Sequence, residues 1–288
     1  MLLRPLQRDD LETLVELLGR IAPFHRRWSA ADLRTQIDDP ARGRGAHVAV
    51  AEVGGRVAGM AAWVDIGAAA GEFYGSPVVA DCEEVAAALI ARVADEGRAA
   101  GAAWVRISAW PEETAKRAAL ERAGFRPVES MVTLDRKPPA GATAPPVPDG
   151  LSPVADERFD AAAFAEVHNL AFADVPQAPA IDVAIAAHTW GADDVRRELW
   201  QDAAGVYQAF IIVTVDGEVA EVAVRPSAQG RGLGGRLLDR ALAGAAALGM
   251  PRVHALIAAS NAASLALHRR RGFIERERLT VFQRELAE

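Results

Sequence analysis

The residues best equipped for chemistry in this 288-residue chain lie in the run VAVRPSAQGRGLGG, Val222 to Gly235, where an apolar strand pattern meets a glycine-rich turn opening an alanine-rich helix. Gly230, Gly232 and Gly234 carry no side chain, so backbone N–H groups can close on an anion, and the helix from Gly235 adds the positive end of its dipole. Arg225, Arg231 and Arg236 bring positive charge to the same place. The chemistry such a turn performs is phosphate binding.

Gly230, Gly232 and Gly235 also satisfy G-x-G-x-x-G, the dinucleotide pattern, which needs an acidic residue about 20 positions further on. The chain there reads Pro251, Arg252, Val253, His254, Ala255, Leu256, with no carboxylate. No Gly-Lys-Ser or Gly-Lys-Thr follows the glycines, so the Walker pattern fails too. A flexible turn with a helix start is the bland reading, and the regular flanking pattern argues against it.

That pattern resembles the GNAT superfamily of acyl-CoA-dependent N-acetyltransferases, whose strand, Q/R-x-x-G-x-G/A turn and helix hold the CoA pyrophosphate. Gln229, Gly230, Arg231, Gly232, Leu233 and Gly234 match the turn at every position. A second motif follows: the strand pattern VHALIAAS, then Asn261, Ser264 and Leu267 at N-x-x-S-x-x-L spacing, then His268 and RRRGF to Phe273. The resemblance covers Leu151 to Glu288. It implies an α/β (α+β) fold, a mixed, mostly antiparallel twisted sheet flanked by helices, with central strands parted to admit the pantetheine arm. Acetyl-CoA is then the cosubstrate, held by Val222, Ala223, Val224, the turn from Gln229 to Gly235, Asn261 and Ser264. Asn261 also reads as the N-cap of the helix from Ala262.

The elements that must position these residues repeat. KPPAGATAPPVPDG, Lys137 to Gly150, has no periodicity and reads as a Pro-rich linker between two tandem GNAT-like domains, 1–136 and 151–288. The first half shows the superfamily's order of strands and helices, and its AGF, Ala123 to Phe125, matches RGF, Arg271 to Phe273. Setting Gly124 on Gly272 brings Pro77 to within about one residue of Pro226, as expected of an internal repeat. Asp81, Glu83 and Glu84 then stand where the second half has Gly230, Gly232 and Leu233. A carboxylate about 5 Å from a phosphate charge costs roughly 3 kcal/mol at an effective dielectric of 20. The first half therefore reads as a degenerate domain without a phosphate loop. Cys82, between Asp81 and Glu83, reads as an idle or packed thiol.

Composition bounds the partners. A net charge of −7 and a pI near 5.5 argue against nucleic acid, which needs a basic face. MLLRPLQRDD turns charged before an apolar core can form, and no apolar run reaches membrane length, so neither a signal peptide nor a membrane span is expected. With a single cysteine, the expectation is a cytoplasmic chain without intrachain disulfides, monomeric or homodimeric. No metal site is expected.

Acetyl transfer to an amine needs a base for the ammonium, a donor for the developing oxyanion and an acid for the departing thiolate. By the resemblance, Glu218 stands at the base's usual spacing before the turn, with Glu221 as substitute. Strand alternation turns the two to opposite faces, so only one can serve. His268 occupies the place where the family usually has a tyrosine acid, and the resemblance makes the backbone N–H of Val224 the expected oxyanion donor. Arg269 to Arg271 read as a solvated helix end, with a contact to the CoA 3′-phosphate as the lesser reading. The acceptor, a primary amine of a small molecule, should meet the segment from Glu166 to Trp200, where His168, Asn169, Asp174, Asp182, His188, Trp190, Asp193 and Asp194 offer polar and aromatic groups. Between Trp200 and the turn only two strand patterns fit, which makes the second half look a strand short. The alternative from another class is a non-catalytic acyl-CoA-binding sensor or scaffold.

Overall fold

The computed structural model describes residues 1–21, 29–38, 47–64, 71–175, 178 and 180–286. Ala69, the counterpart of Glu218 in the aligned halves, lies outside them. The chain divides into two compact units, Met1–Ser130 with Arg278–Glu288, and Met131–Glu277.

The first unit runs β1 (Leu2–Pro5), α1 (Asp10–Ile21), α2 (Ala30–Asp38), β2 (Val48–Val53), β3 (Arg56–Val64), β4 (Glu72–Ala80), α3 (Glu83–Ala99), β5 (Trp104–Ala109), α4 (Thr114–Arg122) and the start of β6 (Arg126–Arg136). Strands β1 to β4 pair antiparallel in sequence order, and β4 pairs parallel to β5. Apolar clusters cover both sheet faces. Leu14, Leu18, Leu33 and Ile37 of α1 and α2 pack with Val50 and Met60. Val85, Leu89, Ile90 and Val93 of α3 pack with Phe73, Val105 and Ile107.

The second unit holds β7 (Leu151–Pro153), α5 (Ala161–Phe172), α6 (Val183–Gly191), β8 (Val195–Asp202), β9 (Tyr207–Thr214), β10 (Val219–Val224), α7 (Leu233–Ala247), β11 (Val253–Ala258), α8 (Ala262–Arg270) and the start of β12 (Ile274–Glu285). Strands β7, β8, β9 and β10 form one antiparallel sheet in that order. The run YQAFIIVT in β9 is apolar almost throughout because both faces are covered. Ala209, Ile211 and Val213 pack with Leu233, Leu237 and Leu242 of α7, while Phe210 and Ile212 pack with Phe164, Val167 and Trp190 of α5 and α6. VRRELWQD supplies β8, so the second half is not a strand short. The charged residues at the start of β8 hid it, because its burial alternates only weakly until Leu199 and Trp200.

Each unit takes its last strand from the far end of the other half of the sequence. Met131–Arg136 of β6 pairs antiparallel with β11 in the second unit. Thr280–Glu285 of β12 pairs antiparallel with β5 in the first. The proline-rich segment between β6 and β7 has no regular structure but is held to α7, whose Arg236 and Arg240 donate to the carbonyls of Pro146 and Pro145.

Candidate active site

The site begins at a pinch point. Gly217, at φ +91°, is a position where an added Cβ would meet the Arg252 carbonyl at 2.6 Å, so only glycine lets β10 start this close to β11. There the His254 N–H donates to the Gly217 carbonyl at 2.9 Å, and Glu218 and His254 make an isolated parallel bridge. Past it β10 stays with β9 and β11 with β6, so the two strands part.

The parted edge of β10 offers backbone groups. The Arg225 N–H donates to the Gln208 carbonyl across β9 at 2.8 Å. Antiparallel bonding alternates along a strand, which turns the amides of Val222 and Val224 away from β9 and into the split. Gln229 Nε2 donates to the Val224 carbonyl on that side at 3.2 Å.

The chain from Arg225 to Gly232 then leads into α7. Helices α5, α6 and α8 open on side-chain caps, with Asp160 accepting from Ala162 and Ala163, Asp182 from Ile185, and Asn261 from Ser264. Helix α7 opens instead on Gly232 in the left-handed region, φ +79°, with no side-chain cap. Its first N–H groups are left for an anion. A Cβ at Gly230 or Gly232 would meet nothing within 4 Å, so the cradle faces open space. Together these elements enclose a cleft of about 630 Å³, lined among others by Val222, Val224, Gly230, Gly234, Asn261 and Ser264. A phosphate-bearing thioester with an extended amide arm fits this donor set: uncapped N–H groups for the phosphates, a parted strand edge for the arm.

The sequence-predicted residues divide by position. Val222, Ala223, Val224, Gln229, Gly230, Gly232, Leu233, Gly234, Gly235, Asn261 and Ser264 line the cleft together, and Arg231 is exposed beside them. Arg225 is held by Glu166 at 3.0 Å and by the Tyr207 carbonyl at 2.9 Å. Arg271 is not a solvated helix end: it meets Asp239 at 2.9 Å and lies against Gly235. Arg270 lines the cleft, and Arg269 pairs with Glu275 at 2.9 Å. Ala171, Phe172 and Val175, within the segment expected to meet the acceptor but not singled out there, also line it with Asp174. Their apolar side chains gave no chemical signal, and only the packing of α5 against β10 puts them there.

The two carboxylates separate clearly. Glu218 lies at the pinch, its N–H bonded to Thr214 Oγ1 at 3.0 Å, roughly 13 Å of strand from Val222. The structure does not bring it to the cleft. Glu221 adjoins the lining strand residues, and its carboxylate is turned to α5, with Oε2 3.8 Å from His168 Nε2. Burial pushes the Glu221 carboxyl up to about 7 and pushes the His168 imidazole down.

His268, on α8, is buried. Its Nδ1 bonds the Ser264 carbonyl at 2.9 Å, and a carbonyl only accepts, so Nδ1 carries the proton and Nε2 is left as an acceptor. Burial lowers its pKa, with the Ser264 bond opposing. The ring also packs edge-on against Phe273, centroids 5.0 Å apart. Neutral His268 in this tautomer has no proton to give from Nε2.

The first unit closes the equivalent ground. The spacing that sets Gly124 on Gly272 sets Glu113 on Asn261 and Lys116 on Ser264. Lys116 Nζ pairs with Glu113 at 2.6 Å and donates to the Val78 carbonyl of β4 at 2.8 Å, where β4 has left β5. Both side chains are buried, and burial pushes the Lys116 ammonium down. Asp81 pairs with Arg56 at 3.2 Å, and Glu83 with Arg122. Cys82 is exposed at the start of α3 and caps nothing with its thiol.

Comparisons with known proteins agree with this geometry. Residues 176–273 match the model of the acetyltransferase (GNAT) family. A mycothiol acetyltransferase of Tsukamurella paurometabola is 31% identical over 214 residues, 66% of this chain and 70% of that protein. A GCN5-related N-acetyltransferase from Sphaerobacter thermophilus shares the fold with a TM-score of 0.79 at 16% identity, covering 100% of this chain and 96% of that one. A tandem GNAT protein from the clavulanic acid biosynthesis pathway does so with a TM-score of 0.70 at 18% identity, covering 100% and 99%. With its parted strands, uncapped glycine turn and matching relatives, the chain belongs to the GNAT acetyltransferase family and is an acyltransferase.

Proposed function

We propose that the second unit transfers an acetyl group from acetyl-CoA to a primary amine of a small molecule, by direct attack while both substrates are bound, with Glu221 as the base. The observation that carries this reading is the Glu221 carboxylate: it directly precedes the cleft-lining Val222 on β10, half-buried with Oε2 closed off from solvent, and its pKa is raised to about 7. A base poised near the working pH both holds a proton and releases it readily.

Acetyl-CoA, when bound, supplies an activated thioester. Gly230, Gly232 and the first N–H groups of α7 hold its phosphates, and the edge of β10 with Asn261 and Ser264 aligns its arm. The Val224 N–H, turned into the split, donates to the carbonyl oxygen as charge develops there. Glu221 takes the proton from the acceptor's ammonium and leaves the nitrogen lone pair free to attack. Asp174 in the lining favours a cationic acceptor. His268, with its Nδ1 proton committed to Ser264, orders α8 under the arm and leaves the thiolate to take its proton from solvent.

The test is thiol release from acetyl-CoA with ethanolamine, glucosamine, spermidine and L-cysteine amide. One of these amines should stimulate release, and Glu221→Gln should abolish the stimulation while Glu218→Gln should not. Full activity in Glu221→Gln would end the assignment of the base.

A further inference from the structure

Converting an ammonium into an amide removes two protons from one nitrogen, and a single carboxylate holds one at a time. One proton leaves before attack and the other after the N–C bond forms. As the S–C bond breaks, its electron pair leaves with sulfur, so one proton ends on the CoA thiol and the other in solvent. The second unit has a group next to Glu221 able to hold the extra proton.

His168 lies on α5, buried, with Nδ1 3.2 Å from Asn169 Oδ1 and Nε2 facing Glu221 Oε2 at 3.8 Å. The Asn169 amide is fixed at both ends. Its Nδ2 donates to the Ile181 carbonyl at 3.0 Å, and its Oδ1 accepts from the Ile181 N–H at 2.9 Å. Oδ1 therefore presents only acceptor character to His168, so Nδ1 carries the ring proton and the Nε2 lone pair points at the carboxylate. Glu221 Oε2 is buried with no hydrogen-bond donor of its own among the described residues. Two facing acceptors repel unless a proton lies between them. Phe172, 4.7 Å from the His168 ring centroid, and Phe210 hold the ring in place.

We infer that Glu221 and His168 act as one proton-holding pair, oriented by Asn169, which accepts the two protons shed by the acceptor nitrogen. The inference rests on Glu221 being the base. The first proton passes from nitrogen to Glu221 and on to His168 Nε2. The regenerated carboxylate takes the second. Glu221 touches the acceptor, and His168 and Asn169 act through it.

Other charged groups on the packed elements are placed elsewhere. Glu166 of α5 pairs with Arg225, Asp182 caps α6, and His188 is exposed. On β9 the Tyr207 hydroxyl accepts from the Asp160 N–H and donates to the Arg158 carbonyl. On β8 Arg197 meets Asp156 and Glu198 meets Arg240. Glu218 and His254 stand at the pinch.

Nitrogen-15 NMR of the histidine rings in the full chain tests the pair, with His168 identified by loss of its signals in His168→Asn. Neutral His168 should show the Nδ1–H tautomer, and its titration midpoint should fall by about one pH unit or more, a tenfold change in proton affinity, in Glu221→Gln. Glu221→Leu serves the same purpose if the glutamine variant does not fold. In Asn169→Ala the neutral ring should go over to the Nε2–H tautomer. An unmoved midpoint in the folded Glu221 variant, or a persisting Nδ1–H tautomer in Asn169→Ala, overturns the pair. Transfer rates with the same four amines separate the two readings. Wild-type transfer by Glu221→Gln overturns the base and the pair together, whereas lost transfer with an unmoved His168 midpoint overturns only the pair. His168→Asn should lower kcat about tenfold or more and leave the KM for acetyl-CoA unchanged.

Discussion

At β10 the chain runs from Arg225 through Gly232 before α7 begins, whereas at β4 only Asp81 and Cys82 stand before α3. The two units use the same strand, split and helix. In the second, β10 stops pairing at Val224 and the following residues become a loop with two left-handed glycines. In the first, β4 stays paired with β3 as far as Ala80, so residues that could form a loop extend a strand instead. The clefts differ in the same sense. Asn261 and Ser264 leave one open, while Glu113 and Lys116, at the matching places, put a buried ion pair in the other. The split between the strands is thus common to both units, and its lining is not. What fills the split is set by a few side chains and by where one strand stops.

The comparison breaks most visibly at Glu221. Glu221→Gln is expected to lower kcat by about 10²–10⁴-fold with the KM for acetyl-CoA unmoved, read by thiol release. In the wild type kcat should rise tenfold per pH unit on the acid side of about 7 and level above it, since the proposed base acts as the carboxylate.

Next in size is the plug of the first unit. Lys116→Ala leaves Glu113 buried and unpaired, at a cost of about 3–5 kcal/mol in urea unfolding. Glu113→Leu with Lys116→Leu should be close to neutral, because burying a pair of charges nearly offsets their attraction.

Glu221 should also show in stability. Its folded pKa of about 7 exceeds the ordinary carboxylate value, so the folded chain binds this proton more tightly than the unfolded chain. The stabilisation is complete below the unfolded pKa and is lost as pH rises through about 7. Above that pH, Glu221→Gln, which cannot ionise, should be more stable than wild type by about 3 kcal/mol in urea unfolding, and the difference should vanish near pH 4.

Gly232→Asp copies the acidic junction into the working one. It should weaken CoA binding by about two orders of magnitude in calorimetry, from phosphate repulsion of roughly 3 kcal/mol and an unfavourable left-handed φ. Unchanged affinity would remove the phosphate loop from the site. The smallest effect expected is for Asn261→Ala, about 1 kcal/mol of stability from the lost helix cap, whereas Glu113→Ala at the matching position should act through Lys116 instead.

Much of this was legible in the sequence where one residue type has one physical use. Gly230 and Gly232 announce a left-handed turn, Asn261 three before Ser264 announces a cap, and the apolar run of β9 announces a strand covered on both faces. The choice between Glu218 and Glu221 was not legible. Alternation says that they face apart, but the register shift between Val219 and Glu221 and the position of the pinch decide which one reaches α5. His168 could be named as a polar option, but its pairing needs α5 laid across β10. β8 hid behind its charged start, and Lys116 behind the usual expectation that lysine is solvated.

The sequence by itself determined the glycine turn, the repeat and its loss of glycines in one half, because backbone freedom and charge are properties of single residues. Only the tertiary structure decided that Glu221 rather than Glu218 turns to α5 and meets His168, that Lys116 reaches the Val78 carbonyl, and that β6 and β12 each complete the unit encoded by the other half of the chain. Those are contacts between residues far apart in the chain, and their energies depend on burial and distance, which exist only once the strands and helices are packed.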